Sequence, residues 1–295
     1  MIMQGENSTV IKRFILRKPL VSIIMPTYNR GYCLPNAIES ILSQTYPYFE
    51  FIIINDGSSD KTDAILNAYK KKDPRIKILR NDSNMGIVTS LNKALKIAKG
   101  KYIARMDDDD ISLPTRIEKQ VQYMDIHPDI TVLGTAIQLP NSNEIKRLSS
   151  SSEESAILSL FQVPVYHPTT LIRHSFLKHH KLNYAPQYDA AEDTAFWYNI
   201  IEKGGKITNL SEPLVIQDIF SKKNYDGGKQ AHSFNQFIDY TLTPLFKEKV
   251  HLFRYQLSNQ QFCIITKEIE KTNYKNLYHK PAMDSIYKKY CPNGI

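Results

Sequence analysis

Tyr102-Ile-Ala-Arg-Met-Asp-Asp-Asp-Asp-Ile111 sets four consecutive carboxylates, Asp107 to Asp110, straight after a short apolar run. The run reads as a β-strand, so the acids sit at its carboxyl end, where open α/β sheets place their ligands. Carboxylates packed this closely repel one another, a cost that a divalent cation or a developing positive charge relieves. A solvated loop, or an acidic first turn of the next helix, is the plainer alternative.

Outward from this stretch, strands and helices alternate. Leu20 to Met25, Phe49 to Ile54, Ile76 to Leu79, Tyr102 to Met106 and Ile130 to Ile137 read as buried strands. Between them, Tyr32 to Gln44 and Ile87 to Ala98 carry apolar residues at helical spacing, the second ending before Gly100. Ser58 or Ser59 is placed to cap a helix reaching Lys72, and Pro114 to open one that stops before Pro128. This alternation with short links predicts an α/β fold, a mostly parallel sheet with helices on both faces. Residues 141 to 154 are polar and serine-rich, as in a flexible loop, and Ala191 to Lys203 reads as a helix stopped by Gly204-Gly205.

The 295 residues suit one large domain with an extension. Hydrophobic content of 42% and charged content of 23% are those of an ordinary globule. No run approaches the roughly 20 apolar residues that span a bilayer. Cys33, Cys263 and Cys291 have neither pairing nor zinc-ligand spacing, which fits a reducing cytoplasm. Residues 1 to 18 form a basic leader, 19 to 220 the α/β domain, and 221 to 295 a helical extension rich in aromatics. That extension holds 12 Lys/Arg against 6 Asp/Glu, most of the net charge of +8. It suits an anionic membrane surface, an anionic acceptor, or a solvated face over a helical core. No nucleic-acid motif accompanies it.

Three strand ends bear polar groups that a parallel sheet delivers to one edge: Pro26-Thr27-Tyr28-Asn29, Asn55-Asp56-Gly57-Ser58, and the aspartates. Tyr28 offers a face for a base. Asp56 can accept from a ring N–H or a ribose hydroxyl. Asp107 and Asp109 can hold a ribose and a Mg²⁺ or Mn²⁺ carrying a diphosphate. Any one fragment is also an ordinary turn.

The set Val21-Ser-Ile-Ile-Met-Pro-Thr-Tyr-Asn-Arg30, Ile54-Asn-Asp-Gly-Ser-Ser-Asp60, Asn84-Met-Gly86 and the aspartates resembles family 2 of the inverting glycosyltransferases. The resemblance spans about residues 20 to 220. It implies the GT-A fold and a UDP-sugar donor, with Pro26, Thr27, Tyr28, Asn29, Asp56, Asn84, Gly86, Arg105, Asp107 and Asp108 around the nucleotide. Asp107 and Asp109 would be its Asp-x-Asp pair, with Asp109 the direct metal ligand. Asn55 departs from the family's usual Asp.

Ala191-Glu192-Asp193-Thr-Ala-Phe-Trp197 resembles the family's later Glu-Asp motif, which implies Asp193 as base and Glu192 as reserve. Inversion needs a carboxylate beside the acceptor hydroxyl, opposite the leaving diphosphate. Trp197 and His167 are the candidate acceptor contacts. The plainer reading makes Glu192-Asp193 a favourable helix start and Trp197 core. Relatives carry a His about 25 residues after the base. This chain has Val215-Ile-Gln-Asp-Ile-Phe220 there, leaving Asp218, Lys222, Lys223 or His232 as substitutes.

The wider segments around Asp107 and Asp193 resemble bacterial enzymes that add N-acetylglucosamine β-1,3 to a terminal galactose of lipooligosaccharide. The implied acceptor is a glycan or glycolipid, and the implied location is the cytoplasm or the inner face of the plasma membrane. Galactosyl- and glucosyltransferases share these motifs. A non-catalytic nucleotide-sugar or glycan-binding module would need no base. A nucleotidyltransferase would carry a Gly-rich loop after the first strand.

Overall fold

The computed structural model describes residues 18–159, 163–188 and 191–217. The basic leader, save Lys18, and the helical extension lie outside the described residues, as do Asp218, Lys222, Lys223 and His232.

In chain order the elements are β1 (Val21–Thr27), α1 (Leu34–Leu42), β2 (Phe49–Asn55), α2 (Thr62–Lys72), β3 (Ile76–Arg80), α3 (Ile87–Ile97), β4 (Tyr102–Arg105), β5 (Ile111–Ser112) and α4 (Arg116–Ile126). Then follow β6 (Ile130–Gln138), β7 (Ile145–Lys146), α5 (Ser152–Leu158), β8 (Leu171–Arg173), α6 (His174–His180), α7 (Glu192–Glu202) and β9 (Lys206–Ile216). They build one sheet in the order β3-β2-β1-β4-β8-β6-β9-β5, with β7 paired to β6.

β3, β2, β1 and β4 are mutually parallel, the α/β arrangement that the alternation predicts. β8 then runs antiparallel between β4 and β6, and β5 antiparallel to β9. The sheet is therefore mixed beyond β4.

Side chains of successive strand residues point to opposite faces, and the core divides accordingly. Ile23, Phe51 and Ile53 pack with Leu34, Ile38 and Ile41 of α1, Leu66 of α2, and Ile117 and Val121 of α4. Ile24, Ile52 and Ile54 pack on the other face, with Leu91 and Leu95 of α3, Leu177 of α6, and Phe196 and Trp197 of α7. β2 is buried along its whole length, as its Phe-Glu-Phe-Ile-Ile-Ile-Asn sequence demands of a strand covered on both sides. Each such side chain contributes about 1.5–3 kcal/mol of burial.

Three local expectations change. Neither Ser58 nor Ser59 caps α2, which starts at Thr62; Asp60 Oδ1 instead accepts from Thr62 N at 3.0 Å. Gly100 stands beyond the last turn of α3, where a Cβ would meet Ser22 N at 2.5 Å. The serine-rich stretch is ordered: β7 pairs with β6, and Asn209 Nδ2 donates to Ser149 O at 2.8 Å.

Candidate active site

Register fixes the site. Thr27 pairs with Asn55 and Ile24 with Arg105, so the chain leaves β1, β2 and β4 side by side at one sheet edge. Asn29, in the left-handed region at φ 53°, clips two of these exits together. Its backbone N donates to Ser58 Oγ, and its Oδ1 accepts from Ser59 N, both at 2.9 Å. Gly31 N adds a bond to Asp60 Oδ2 at 2.9 Å. Asn29 therefore commits its side-chain oxygen to the loop. Tyr28 next to it is 42% exposed, with its ring accessible for stacking. Pro26 and Thr27 complete the end of β1, Thr27 buried.

Asp56 is 4% exposed, and its carboxylate holds the following loop. Oδ1 accepts from Asn81 Nδ2 at 2.6 Å and Met85 N at 2.9 Å, and Oδ2 from Gly86 N at 2.9 Å. A carboxylate accepts about four such bonds, so roughly one position is left for a ring N–H. Gly57, at φ 76°, permits this closure, since a Cβ there would meet Ser83 C at 2.4 Å. Asn84 Oδ1 also accepts from Gly86 N, at 3.1 Å, and Gly86 begins α3 at φ 85°. Asp56, Asn84 and Gly86 thus shape one turn.

Three of the aspartates converge and one turns away. Ligand oxygens of Asp107, Asp109 and Asp110 lie within 4.8 Å of one another. Asp108 turns toward Arg30, whose guanidinium stands 3.8 Å from it and 3.6 Å from Asp109. Burial, with the charges of Asp109 and Asp107, pushes the Asp108 carboxyl up to about 7 against the pull of Thr27 and Arg30. Asp110 directly precedes β5 and joins the oxygen cluster. Three carboxylates converging on one point are a hard-cation donor set, and they fit Mn²⁺ or Mg²⁺.

Arg105 is not a donor contact. It is 1% exposed and reaches Asp107 from beneath, also donating to Met106 O. Burial works against its charge, but Asp107, Tyr184 and Asp108 together raise the guanidinium above its ordinary value. Arg116 lies fully buried beside it, donating to Arg105 O at 2.7 Å. Burial pulls Arg116 down to about 9, with Asp110 opposing. A positive floor thus underlies the acidic cluster.

Glu192 and Asp193 open α7, in the first turn, where a carboxylate favours the helix dipole. Asp193 Oδ1 accepts from Thr194 N at 2.6 Å, while Glu192 is buried. The buried Tyr184 links this helix to the aspartates. Burial raises its phenol, and the charges of Arg105, Glu192, Asp193 and Asp107 all act on it.

Two acceptor candidates are corrected. Trp197 is 0% exposed, packed edge-on to His167 and Phe196, because the sheet-facing side of α7 needs a large apolar group there. Its ring is core and offers no platform to a sugar. His167 is 9% exposed, and its Nε2 is bonded to Tyr184 Oη at 2.8 Å, so it supports Tyr184 from within.

Sequence reading missed Arg30, Asn81 and Arg116. Arg30 had a visible signal, a lone cation directly after Pro26-Thr-Tyr-Asn29. Asn81 and Arg116 had none, since their roles come from burial. A cleft of ≈ 620 Å³ lies elsewhere, along α3 and α6, lined by Lys96, Lys178, Lys181, Leu177 and Leu182. Among the described residues no carboxylate lines it.

Residues 22–185, more than half of the chain, match the family described as Glycosyl transferase family 2. An uncharacterized glycosyltransferase of Haemophilus influenzae is 31% identical over 92% of this chain and 84% of its own length. The Escherichia coli UDP-Glc:alpha-D-GlcNAc-diphosphoundecaprenol beta-1,3-glucosyltransferase WfaP is 34% identical over 74% of this chain and 83% of its own. Among solved structures, S. aureus TarS 1–349 in complex with UDP superposes with a TM-score of 0.59 at 21% identity, covering 78% of this chain and 75% of that one. The mannosyltransferase PcManGT from Pyrobaculum calidifontis, in complex with GDP-Man and Mn²⁺, gives 0.63 at 17% identity, covering 94% and 82%. These two likenesses establish the GT-A architecture. With the family match covering the strands that build the site, the chain belongs to glycosyl transferase family 2.

Proposed function

We propose that the chain transfers a sugar from a UDP-sugar to a bacterial surface glycan such as lipooligosaccharide, inverting the anomeric centre. N-acetylglucosamine, placed β-1,3 on a terminal galactose, is the first reading of donor and linkage. The observation that carries the transfer reading is the convergence of the Asp107, Asp109 and Asp110 oxygens at the sheet edge that also presents Tyr28 and Asp56.

Tyr28 stacks the uracil and Asp56 accepts its ring N–H. The acceptor oxygen attacks the anomeric carbon as the bond to the diphosphate oxygen breaks, its electron pair leaving with UDP. Asp193 takes the hydroxyl proton, with Glu192 as the reserve base. Asp107, Asp109 and Asp110 would hold Mn²⁺ or Mg²⁺, which when bound supplies Lewis-acid stabilisation of the leaving diphosphate.

A glucosyl donor is the second reading, favoured by the name of WfaP, a UDP-Glc enzyme 34% identical to this chain. The proposed location is the cytoplasm, with the basic extension available to the inner membrane face. No helix among the described residues is long and apolar enough to cross a membrane.

A panel of UDP-N-acetylglucosamine, UDP-glucose and UDP-galactose, scored for UDP release with and without galactose-ended acceptors, tests the reading. Release from UDP-N-acetylglucosamine that rises with acceptor is expected. Preference for UDP-glucose replaces the first donor by the second. Binding of every donor without release would make the chain a binding module.

A further inference from the structure

Arg30 differs from the other two cations around the aspartates. Arg105 and Arg116 are buried and fixed by main-chain oxygens beneath the cluster. Arg30 stands on the solvent side, its guanidinium 3.8 Å from Asp108 and 3.6 Å from Asp109. Charge-assisted N–H···O bonds run at about 2.7–2.9 Å, so the two carboxylates hold this cation by field rather than by fitted bonds. Its backbone is anchored, because Arg30 O accepts from Cys33 N and Leu34 N, both at 3.0 Å. Its side chain donates from Nη1 to the hydroxyl of Tyr32, a residue 72% exposed.

Asp109 is the shared partner: it belongs to the oxygen cluster suited to a divalent cation and also faces Arg30. Two cations cannot both hold it at close range at little cost. A dianionic diphosphate arriving at this edge needs positive charge on the side away from the buried arginines, and among the described residues Arg30 is a guanidinium on that side.

We propose that Arg30 is an exchanging counter-ion, resting on Asp108 and Asp109 in the donor-free protein and moving to the donor diphosphate when substrate binds. This rests on the donor reading above. With Arg30 in its resting place, four carboxylates face three guanidiniums, so nucleotide-free protein binds a divalent cation weakly. The diphosphate draws Arg30 off Asp109 and brings its own negative charge to the cation. On the diphosphate, Arg30 stabilises the charge that develops as the sugar departs. It thereby takes the part for which the sequence offered no His after the base.

The test is Mn²⁺ binding to the full chain, followed by electron paramagnetic resonance of the free aqua-ion, for wild type, Arg30→Gln and Arg30→Lys. Without nucleotide, Arg30→Gln binds Mn²⁺ about tenfold more tightly than wild type, because one competing charge is gone. The same variant loses about 10²-fold in kcat, with the acceptor KM little changed. Arg30→Lys, which keeps the charge, stays near wild type in nucleotide-free Mn²⁺ affinity and recovers part of the turnover. Mn²⁺ affinity in Arg30→Gln equal to or weaker than wild type, without nucleotide, overturns the proposal. A wild-type Mn²⁺ affinity insensitive to UDP sinks the donor reading and the diphosphate half of the exchange, whatever Arg30→Gln does.

Discussion

The side-chain amide of Asn55 donates to Asp63 Oδ1 across 2.6 Å. Asp63 is also held by Arg80, and Asn55 Oδ1 accepts from Ser58 N at 3.0 Å. This pairing gives a physical reason for Asn where the family resemblance leads one to expect Asp. A carboxylate at position 55 has no proton to offer Asp63, and it would sit buried against a like charge.

Asn55→Asp is therefore expected to destabilise the protein by about 1–3 kcal/mol. Pairing it with Asp63→Asn restores a donor and recovers most of the loss. Urea unfolding of the two single variants and the double variant checks this, since the effects on one contact must be non-additive.

Glu50 predicts acid sensitivity. Burial pushes its carboxyl up, but the Lys77 ammonium, the Ser22 hydroxyl and the Lys99 backbone N–H together carry it below its ordinary 4.5. Ser22 Oγ donates at 2.6 Å and Lys99 N at 2.7 Å. The folded state thus favours the charged form. Its stabilisation is complete above the unfolded value near 4.5 and is lost as pH falls through the lower folded value. Glu50→Gln should cost about 1–3 kcal/mol at pH 7. The gap from wild type should narrow by pH 3, as urea midpoints at the two pH values would show.

Trp197 separates a core from a binding role. Trp197→Ala is expected to cost about 3–5 kcal/mol, while Trp197→Phe folds with a smaller loss. Because the indole is covered, Trp197→Phe should leave the acceptor KM within about twofold of wild type at a temperature where both are folded. Thermal melts and acceptor titrations measure the two quantities.

For the base, Asp193→Asn should lower kcat by about 10²–10⁴-fold with UDP affinity unchanged. Glu192→Gln should cost less. Near-normal transfer by Asp193→Asn would remove it from the chemistry.

Metal removal should separate activity from folding. EDTA is expected to abolish transfer, and Mn²⁺ to restore it. The melting temperature should move by less than about 2 °C, because Arg105 and Arg116 already offset the aspartates from below.

The parallel half of the fold was legible because periodicity and strand-end polarity agree there. Phe49 to Ile54 leaves little choice but a doubly covered strand, and Asp107 to Asp110 announces a strand end. The mixed half was not legible, because β5, β7 and β8 are too short to show a period. Their pairing is set by partners far away, as when Ile111 meets Ile216. That Asp56 and Tyr28 stand at the sheet edge could be read from type and position. The burial of Trp197 and Arg105 could not, since a tryptophan in the middle of a helix and an arginine beside acids have the same sequence signature whether exposed or buried. Only the three-dimensional count of neighbours assigns them inward.

The two halves of the sheet also divide what the gene must remember. Every residue proposed to read the nucleotide comes from the first 110 positions, on strands that run in parallel and brace one another. The proposed base comes from α7, beyond the antiparallel turn of the sheet. Exchange of the segment after residue 111 would therefore replace the proposed base and leave every residue proposed to read the nucleotide in place.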